Sequence, residues 1–541
     1  MKLRPVAIWL VALCLASPAR AQTVSPPPLY PGLGKTHHKI TTSKSQAQKY
    51  FDQGLALKYG FNHDEAYRAF QYAAQLDPNC AMAYWGMALV LGPNINWPMD
   101  STLEAQAYAH VQKALQLASS ATPVERDYIE AMARRYAATG SADRSGRDSA
   151  YANAMRALAN KYPADADAQC LFAESLMDLH PWEYWTHDKK PNPGTDELLH
   201  VLETAIAKNP EHVGLIHFYI HAEEAGPTPE KAIPYANKLP NLIPGAGHLV
   251  HMPTHLSRAA GRWDQAVDLN TKAADVDAAY LASQKPTGMY GLMYYSHNLH
   301  FVAYAASMSG QSATALAAAQ KLFANVPPEV VQQVSMAEMY TPWPTLVLAR
   351  FGRWDEILAL KPQPAYYRYT NAMLHYARGL AYAAKKNPDA ANAERDSLQA
   401  AYDAMPDNYQ VGLNMAKPVL RVASLHLAGE IAARNDRSLF AVGLLRQAIA
   451  AEDSLHYDEP QPWYAPVRQY LGAVYLQIQK PALAEAVYRE DLVRNPNNGW
   501  SLFGLAQALH SEGKVDEAFK VDAQFAEAWK RADVKLTTSR F

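Results

Sequence analysis

The residues best suited to chemistry in this sequence are histidines that recur at a fixed interval. His217 and His221 are followed 34 residues later by His251 and His255. Neutral imidazole binds transition metals near pH 7, so histidines that a repeat brings together predict a metal site. The predicted ligands are His217, His221, His248, His251, His255, His297 and His300.

Further residues lie where they could ligate the metal or support its ligands. Glu224 follows His221 by three residues and therefore shares its face of a helix. The additional candidates are Glu224, His212, Glu174 and Tyr304. Seven histidines exceed one tetrahedral site, which predicts a dinuclear site or one metal with spare histidines for acid–base work. Coordination by nitrogen suits Zn, Cu, Fe and Ni, and the sequence does not choose among them.

Paired helices must position these histidines. The phrases GRWDQA (261–266), GRWDEI (352–357) and GKVDEA (513–518) each place a glycine at a helix–helix turn. Residues 47–80 carry a spaced set of small and apolar residues: Tyr50, Gly54, Leu57, Ala66, Phe70, Ala73 and Pro78. With these features the chain resembles the tetratricopeptide-repeat (TPR) superfamily, whose period is 34 residues. The resemblance implies an all-α, helix-turn-helix solenoid with loop insertions.

The TPR resemblance also assigns positions to the histidines. In that superfamily, positions 2, 5 and 9 of each first helix face a concave groove. Counted back from Ala232, Ala266 and Ala315, the seven histidines and Tyr304 take these positions. Pro253 lies within the second histidine group and removes a helical hydrogen bond, so the helix is expected to start or kink there.

The central segments GLIHFYIHAEEAGPTPEKA and GHLVHMPTHLSRAAGRWDQA resemble an uncharacterised group of secreted bacterial TPR proteins with histidine-rich central repeats. That resemblance implies an exported solenoid and supplies no activity.

The N-terminus predicts export. Residues 1–21 combine a basic start, a short apolar stretch and an A-x-A cleavage site, as in a signal peptide. The apolar stretch is too short to span a bilayer, so no transmembrane segment is expected. Residues 22–45 are rich in Pro and Gly and predict an extended arm. The repeats are expected in two arrays, 46–360 with the histidine-lined groove and 361–541.

Composition restricts the choice of function. Apolar residues make up 49% of the chain, the formal net charge is −2 and the mean hydropathy is −0.27. A chain without excess positive charge is not expected to bind nucleic acid. Cys80 and Cys170 could pair in an oxidising compartment, but buried free thiols are the favoured interpretation.

Three hypotheses remain for the histidine groove. The first is a metalloprotein, which could serve as a metal-dependent oxidase or hydrolase, although the HExxH and GxSxG patterns are absent. The second is a metal-free TPR scaffold that binds a peptide or protein partner in the groove. The third is a set of histidines satisfied by internal hydrogen bonds. The C-terminal repeats, about 370–541, lack the recurring 34-residue spacing of histidines and are the expected protein-docking part under the first two hypotheses.

Overall fold

Short helices follow one another along the chain and pack as antiparallel pairs. The structure is a computed structural model that describes residues 25–140, 143–186, 188–284 and 289–541. The first helices are α1 Ser45–Tyr59, α2 His63–Leu76, α3 Ala81–Leu91, α4 Glu104–Leu117, α5 Pro123–Met132, α6 Ser145–Lys161, α7 Ala166–Met177 and α8 Thr195–Lys208. The central helices are α9 Val213–Glu223, α10 Ile233–Ala236, α11 Leu239–Leu242, α12 Gly247–His251, α13 Pro253–Ala259, α14 Trp263–Gln284, α15 Ser296–Met308, α16 Ser312–Ala324, α17 Pro328–Gln333, α18 Trp343–Arg350 and α19 Trp354–Ala359. The last helices are α20 Arg368–Ala384, α21 Pro388–Asp403, α22 Ala416–Arg434, α23 Ser438–Asp453, α24 Val467–Gln477, α25 Pro481–Arg494, α26 Gly499–Ser511 and α27 Val515–Ala528.

Other regular structure is brief. Strands β1 Gln410–Val411 and β2 Asn414–Met415 pair antiparallel just before α22. Gly291–Tyr295 forms one π-helical turn that leads into α15. Single 3₁₀ turns occupy Ser101–Leu103, Ala118–Ser120, Pro229–Lys231 and Ser335–Met339. The predicted all-α solenoid of TPR-type helix pairs is therefore confirmed.

Small residues allow the helix pairs to approach closely. A Cβ added at Gly54 in α1 would lie 2.7 Å from the Phe70 ring of α2, and one at Gly86 in α3 would lie 2.5 Å from the same ring. Larger side chains at these positions would push the three helices apart. At the helix turns, Gly261 and Gly352 adopt φ values of 67° and 66°, which favour glycine.

Buried apolar side chains form two separate clusters along the solenoid. The first runs from the N-terminal arm to Leu256 and includes Tyr290 and Tyr294. The second runs from Trp263 to Leu536 and is continuous across residue 360. The predicted histidine ligands lie on helices at the meeting point of the two clusters, so a layer of imidazoles interrupts the apolar packing there.

The N-terminal arm lies against the first repeats. Residues 25–44 contain no helix, and Leu33 and Ile40 are buried. The Tyr50 hydroxyl donates to the Pro27 carbonyl at 2.9 Å, and Thr41 donates to Glu125. The predicted signal peptide, residues 1–21, lies outside the described residues.

Two further expectations concern the cysteines and the membrane. Cys80 and Cys170 are buried free thiols, as expected. In the part of the chain that the structure describes, no helix combines the length and apolar character needed to cross a bilayer.

Candidate metal centre

Four helices bring six histidines together at the meeting point of the two apolar clusters. His217 and His221 lie one turn apart on α9, and His248 and His251 lie on α12. His255 is on α13, and His297 is on α15. Because equivalent helices stack in a solenoid, side chains that are distant in sequence meet along one face.

The helix that carries His251 and His255 is interrupted at Met252. α12 ends at His251, and Pro253 begins α13 as its first residue, where its missing N–H costs least. The two rings still converge, because His251 Nε2 lies 2.7 Å from His255 Nε2. The interruption predicted at Pro253 therefore exists and leaves both imidazoles directed at one point.

The histidines form two triads, each with three ring nitrogens within 4.8 Å of one another. The first triad comprises His217, His221 and His248, and the second comprises His251, His255 and His297. In the first, the Nε2 atoms of His217 and His248 are 3.1 Å apart. In the second, the Nε2 atoms of His297 and His251 are 3.1 Å apart.

Five of the six histidines are buried and His297 is partly buried, whereas the sequence predicted that they line a concave groove. His217, His251 and His255 are 0% exposed. Phe61 lies over the first triad, with its ring centroid 4.5 Å from that of His217, and the Trp182 ring lies 5.2 Å from that of His221. These aromatic side chains come from a helix turn and a loop insertion, which explains why the groove is closed at this point.

Both covering residues have unusual backbone conformations. Phe61 has a φ of 57° and Trp182 a φ of 67°. Bulky residues rarely adopt the left-handed region, and such strain often occurs at binding sites. The fold therefore holds both rings over the first triad at some conformational cost.

Hydrogen bonds on the far side of the His217 and His221 rings fix their tautomers, whereas Nδ1 of His248 has no hydrogen-bond partner among the described residues. His217 Nδ1 donates to the Tyr59 carbonyl at 2.7 Å, and His221 Nδ1 donates to Glu224 Oε1 at 2.7 Å. A neutral imidazole that donates from Nδ1 carries a lone pair on Nε2, the atom that can bind a metal.

Two histidines of the second triad, His251 and His255, follow the same pattern. His251 Nδ1 donates to Asn270 Oδ1 at 2.5 Å, and the Asn270 amide nitrogen donates to the Ala266 carbonyl. His255 Nδ1 faces two carboxylates, at 2.6 Å from Glu224 Oε2 and 3.2 Å from Glu459 Oε1. These acceptors draw a ring proton to Nδ1 of each residue, so the facing Nε2 atoms of His251 and His255 would both carry lone pairs if both rings were neutral.

Burial keeps most of these imidazoles neutral. It lowers the pKa of His221 to about 3, and burial together with neighbouring imidazoles lowers the pKa of His217, His248, His251 and His297 well below the usual value. Since neutral imidazole is the ligating form, these rings are ready to bind a metal at pH 7.

His255 is the exception among the six. Burial lowers its pKa, but Glu224 and Glu459 outweigh that effect and raise the value to about 10. In the absence of a metal, His255 therefore holds an extra proton between its Nε2 and that of His251. A bound cation would take the place of that proton.

Other predicted residues lie outside the triads. His300, on α15, packs its ring against Trp343 at a centroid distance of 4.5 Å. Glu174 forms a buried ion pair with Lys58. His212 Nε2 donates to Asp167 Oδ1 at 3.0 Å.

Tyr304 also points away from the triads. Its hydroxyl donates to Gln461 Oε1 at 2.8 Å. Of the four additional candidates, only Glu224 contacts the histidines of the triads directly, through both carboxylate oxygens.

The structure adds residues that the sequence did not single out. Glu459 reaches the centre from the segment between α23 and α24, and the Tyr457 hydroxyl donates to it at 2.5 Å. Asn270 lies on α14 behind His251. Phe61 is part of the turn after α1. None shares the 34-residue spacing of the histidines, so only the folded chain shows them as neighbours.

Comparison with known proteins gives little beyond the architecture. No model of a known protein family matches the chain, and no curated protein matches it in sequence. Solved structures with some similarity include the human IFIT1 dimer with m7Gppp-AAAA, at 12% identity and a TM-score of 0.33, covering 90% of this chain and 91% of that one. Yeast Tom70 is 11% identical, with a TM-score of 0.29 and 91% of each chain covered.

The Cut9–Hcn1 hetero-tetramer of APC/C is 12% identical, with a TM-score of 0.30, covering 87% of this chain and 78% of that one. At these TM-scores the likeness carries no inference about ligand or partner, and the expectation of no nucleic-acid binding stays a prediction from charge. By its own geometry the chain is an all-α solenoid of stacked helix pairs with two histidine triads at its centre.

Proposed function

We propose that this protein is an exported metal-binding solenoid that holds one transition-metal ion in each histidine triad. The observation that carries the proposal is the 2.7 Å separation between His251 Nε2 and His255 Nε2. Both rings have their Nδ1 atoms against acceptors, so two lone pairs face each other at hydrogen-bond distance. Such a pair requires a shared cation, either a proton or a metal ion.

The donor set favours a metal. Three neutral imidazoles with a fourth position open are a common ligand set of catalytic zinc, and imidazole also suits Cu, Ni and Fe. Behind the ligands, Glu224 and Asn270 accept from Nδ1, which orients the rings and makes them better donors to a metal. Buried free thiols such as Cys170 carry no thiolate to compete for the ion, because burial raises the pKa of Cys170.

Export fits this chemistry. The signal peptide proposed at residues 1–21 would deliver the chain to the periplasm or the medium. Whether the metal performs a reaction, as in an oxidase or a hydrolase, depends on its identity, since an ion with an open position can act as a Lewis acid or a redox centre.

Elemental analysis of untagged protein purified from the periplasm tests the proposal. We expect about two equivalents of a transition metal in the wild type and a marked loss in a His251→Ala/His255→Ala variant. A matched control is His375→Ala/His510→Ala, because these histidines pair with Glu394 and Asp522 at the surface. If no metal binds even after reconstitution with Zn, Cu, Fe and Ni, the cation shared by His251 and His255 is a proton and the metal-binding proposal is wrong.

A second candidate function is partner binding by the C-terminal repeats. One observation favours it: the second helices of these repeats expose Leu439 at 82%, Phe440 at 54%, Val493 at 82% and Phe519 at 63%. Exposed apolar side chains often mark protein–protein contacts. Under this function, Leu439→Glu/Phe519→Glu would abolish capture of a peptide or protein partner and leave the metal content unchanged.

A further inference from the structure

One phenylalanine contacts all three imidazoles of the second triad. The Phe301 ring centroid lies 4.9 Å from those of His251 and His297 and 5.0 Å from that of His255. A ring that is equally far from three converging rings lies on the axis of the triad. Its plane is inclined by 74°, 63° and 67° to the planes of His251, His297 and His255, so its face is directed at the point where they converge.

The first triad has a cover of the same kind. Phe61 places its ring centroid 4.5 Å from that of His217, 5.4 Å from that of His248 and 6.3 Å from that of His221. Both Phe61 and Phe301 are buried. A hydrocarbon ring without a donor atom therefore occupies one side of each triad, where a metal ion would otherwise take up water as a further ligand.

The number of available ligands restricts the metal. Zinc in proteins takes four ligands, and Fe(II), Ni(II) and Cu(II) also favour geometries with more than three. Each triad supplies three ring nitrogens, and its phenylalanine covers the side from which a fourth ligand would approach. Cu(I) has a filled d shell, so it imposes no such geometry and is stable among three nitrogen ligands. The face of a phenyl ring also attracts a cation.

Charge favours the same ion. Imidazoles bind a metal in their neutral form, so the six ligands contribute no negative charge. Among the described residues, the carboxylates that contact the six rings are those of Glu224 and Glu459. Two monovalent ions would balance these two carboxylates. Two divalent ions would leave excess positive charge in a buried site, where an uncompensated charge is costly.

We propose that each triad holds monovalent copper, Cu(I), which is bound by three imidazole nitrogens and covered by a phenylalanine ring in place of a fourth ligand. This inference rests on the proposed metal-binding function and adds the identity, the charge and the coordination number of the ion. An ion covered in this way has no position for a substrate, so the centre serves to hold copper itself.

Anaerobic competition with the chelator bathocuproine disulfonate measures Cu(I) binding to the wild type, and addition of Zn(II) measures the selectivity. We expect about two equivalents of Cu(I), held at least about 100-fold more tightly than Zn(II). Equal or tighter binding of Zn(II) would overturn the proposal.

X-ray absorption spectroscopy of the Cu(I)-loaded wild type counts the ligands directly and needs no variant. We expect each copper to have the three ring nitrogens of its triad as neighbours and no oxygen. A fourth nitrogen or an oxygen ligand at the copper ions would contradict a phenylalanine cover.

Two variants of Phe301 sharpen the test. Phe301→Ala admits water to the second triad, so the ratio of Cu(I) to Zn(II) affinity should fall at least about tenfold for one of the two ions. Should this variant fail to fold, Phe301→Leu keeps the cover but loses the aromatic face, and its Cu(I) affinity at one ion should fall by about tenfold. Phe519→Ala, at a ring that is 63% exposed, is the control. A folded Phe301 variant that binds both metals as the wild type does would refute the role of the ring.

Elemental analysis distinguishes failure of this inference from failure of the metal-binding function. A protein that retains no metal under any condition refutes both. A protein that retains zinc, nickel or iron in preference to Cu(I) refutes the copper assignment alone.

Discussion

Glu224 places its Oε2 atom 2.6 Å from Nδ1 of His255. His255 lies on a different helix and belongs to the second triad, whereas His221, three residues before Glu224, belongs to the first. The Oε1 atom of Glu224 accepts from His221 Nδ1 at 2.7 Å. One carboxylate therefore supports a ligand in each triad. The two triads also adjoin, with the His221 and His255 rings 5.5 Å apart. A change at Glu224 should consequently affect both proposed metal sites.

The first prediction concerns that carboxylate. Glu224→Gln removes one acceptor and the negative charge, so we expect the affinity of both triads for metal to fall by about 10- to 100-fold. Competition with a chromophoric chelator measures this change. Glu394→Gln, which breaks a comparable His–Glu pair at the surface, is the control and should have no effect. Unchanged affinity in Glu224→Gln would show that the carboxylate does not support metal ligands.

The second prediction separates the two triads. Asn270 contacts His251 and no histidine of the first triad. Asn270→Leu removes the acceptor that holds His251 Nδ1–H, and we expect the metal content to fall from about two equivalents to about one. Elemental analysis after gel filtration measures it. Loss of both ions, or of neither, would contradict independent loading of the triads.

The third prediction concerns Trp182, one of the two residues that cover the first triad in a strained backbone conformation. Trp182 has a φ of 67° and packs its ring against His221. Both Trp182→Gly and Trp182→Ala remove the ring and should speed metal loss to a chelator by about tenfold or more. The glycine variant should be more stable than the alanine variant by about 1 kcal/mol, because alanine retains the left-handed strain.

Urea unfolding of the two metal-free Trp182 variants measures that difference. A more stable alanine variant would show that the segment relaxes to a different backbone conformation once the ring is gone, and would remove the argument that the cover is held under strain.

The fourth prediction concerns pH. Burial lowers the pKa of His38, but its 2.8 Å contact with Asp167 Oδ2 outweighs this and raises the value. The folded state thus holds the proton more tightly than the unfolded state. The pair contributes its full stability below the ordinary histidine pKa of about 6.5 and loses it as the pH rises through the folded value.

A His38→Gln variant measures that contribution in metal-free protein. The free energy of unfolding of the wild type should exceed that of the variant by more at about pH 6 than at about pH 9. Asp167 acts in the opposite range: burial raises its pKa, but His212 and His38 hold it well below the usual value, so its contribution is lost only as the pH falls below about 4. A difference between wild type and His38→Gln that grows with pH would contradict the pairing.

The fold was predictable because local signals and repeat spacing agree. Close approach of Gly54 to Phe70 explains why a small residue recurs at that position of the helix pair. The 34-residue spacing likewise predicted that His217 and His251 would lie on stacked helices. Such regularities depend on neighbouring repeats alone and are therefore visible in the sequence.

The other residues of the site make contacts that do not follow the 34-residue repeat, so the sequence could not predict them. Glu459 arrives from a segment far along the chain, and Phe61 from a turn with a left-handed residue. His300 illustrates a second limit. On α15, Phe301 packs against His297 and His251, so the helix turns His300 away toward Trp343. The spacing of the histidines predicted the helix and approximately which of its faces meets the site. It could not predict the rotation of the helix about its own axis.

The imidazole layer between the two apolar clusters affects how the molecule unfolds. Repeats of a solenoid contact mainly their neighbours, so an interface poor in apolar contacts can divide the array into separate cooperative units. Among the described residues of this chain, few contacts besides those of Glu459 and Tyr457 with the central histidines and Trp182 cross the layer. Neutral rings such as His217 and His251 replace aliphatic contacts at this interface. Without metal, the halves on either side should melt in two transitions. Metal bound there would link the two halves, so that the protein would unfold in a single transition at a higher temperature.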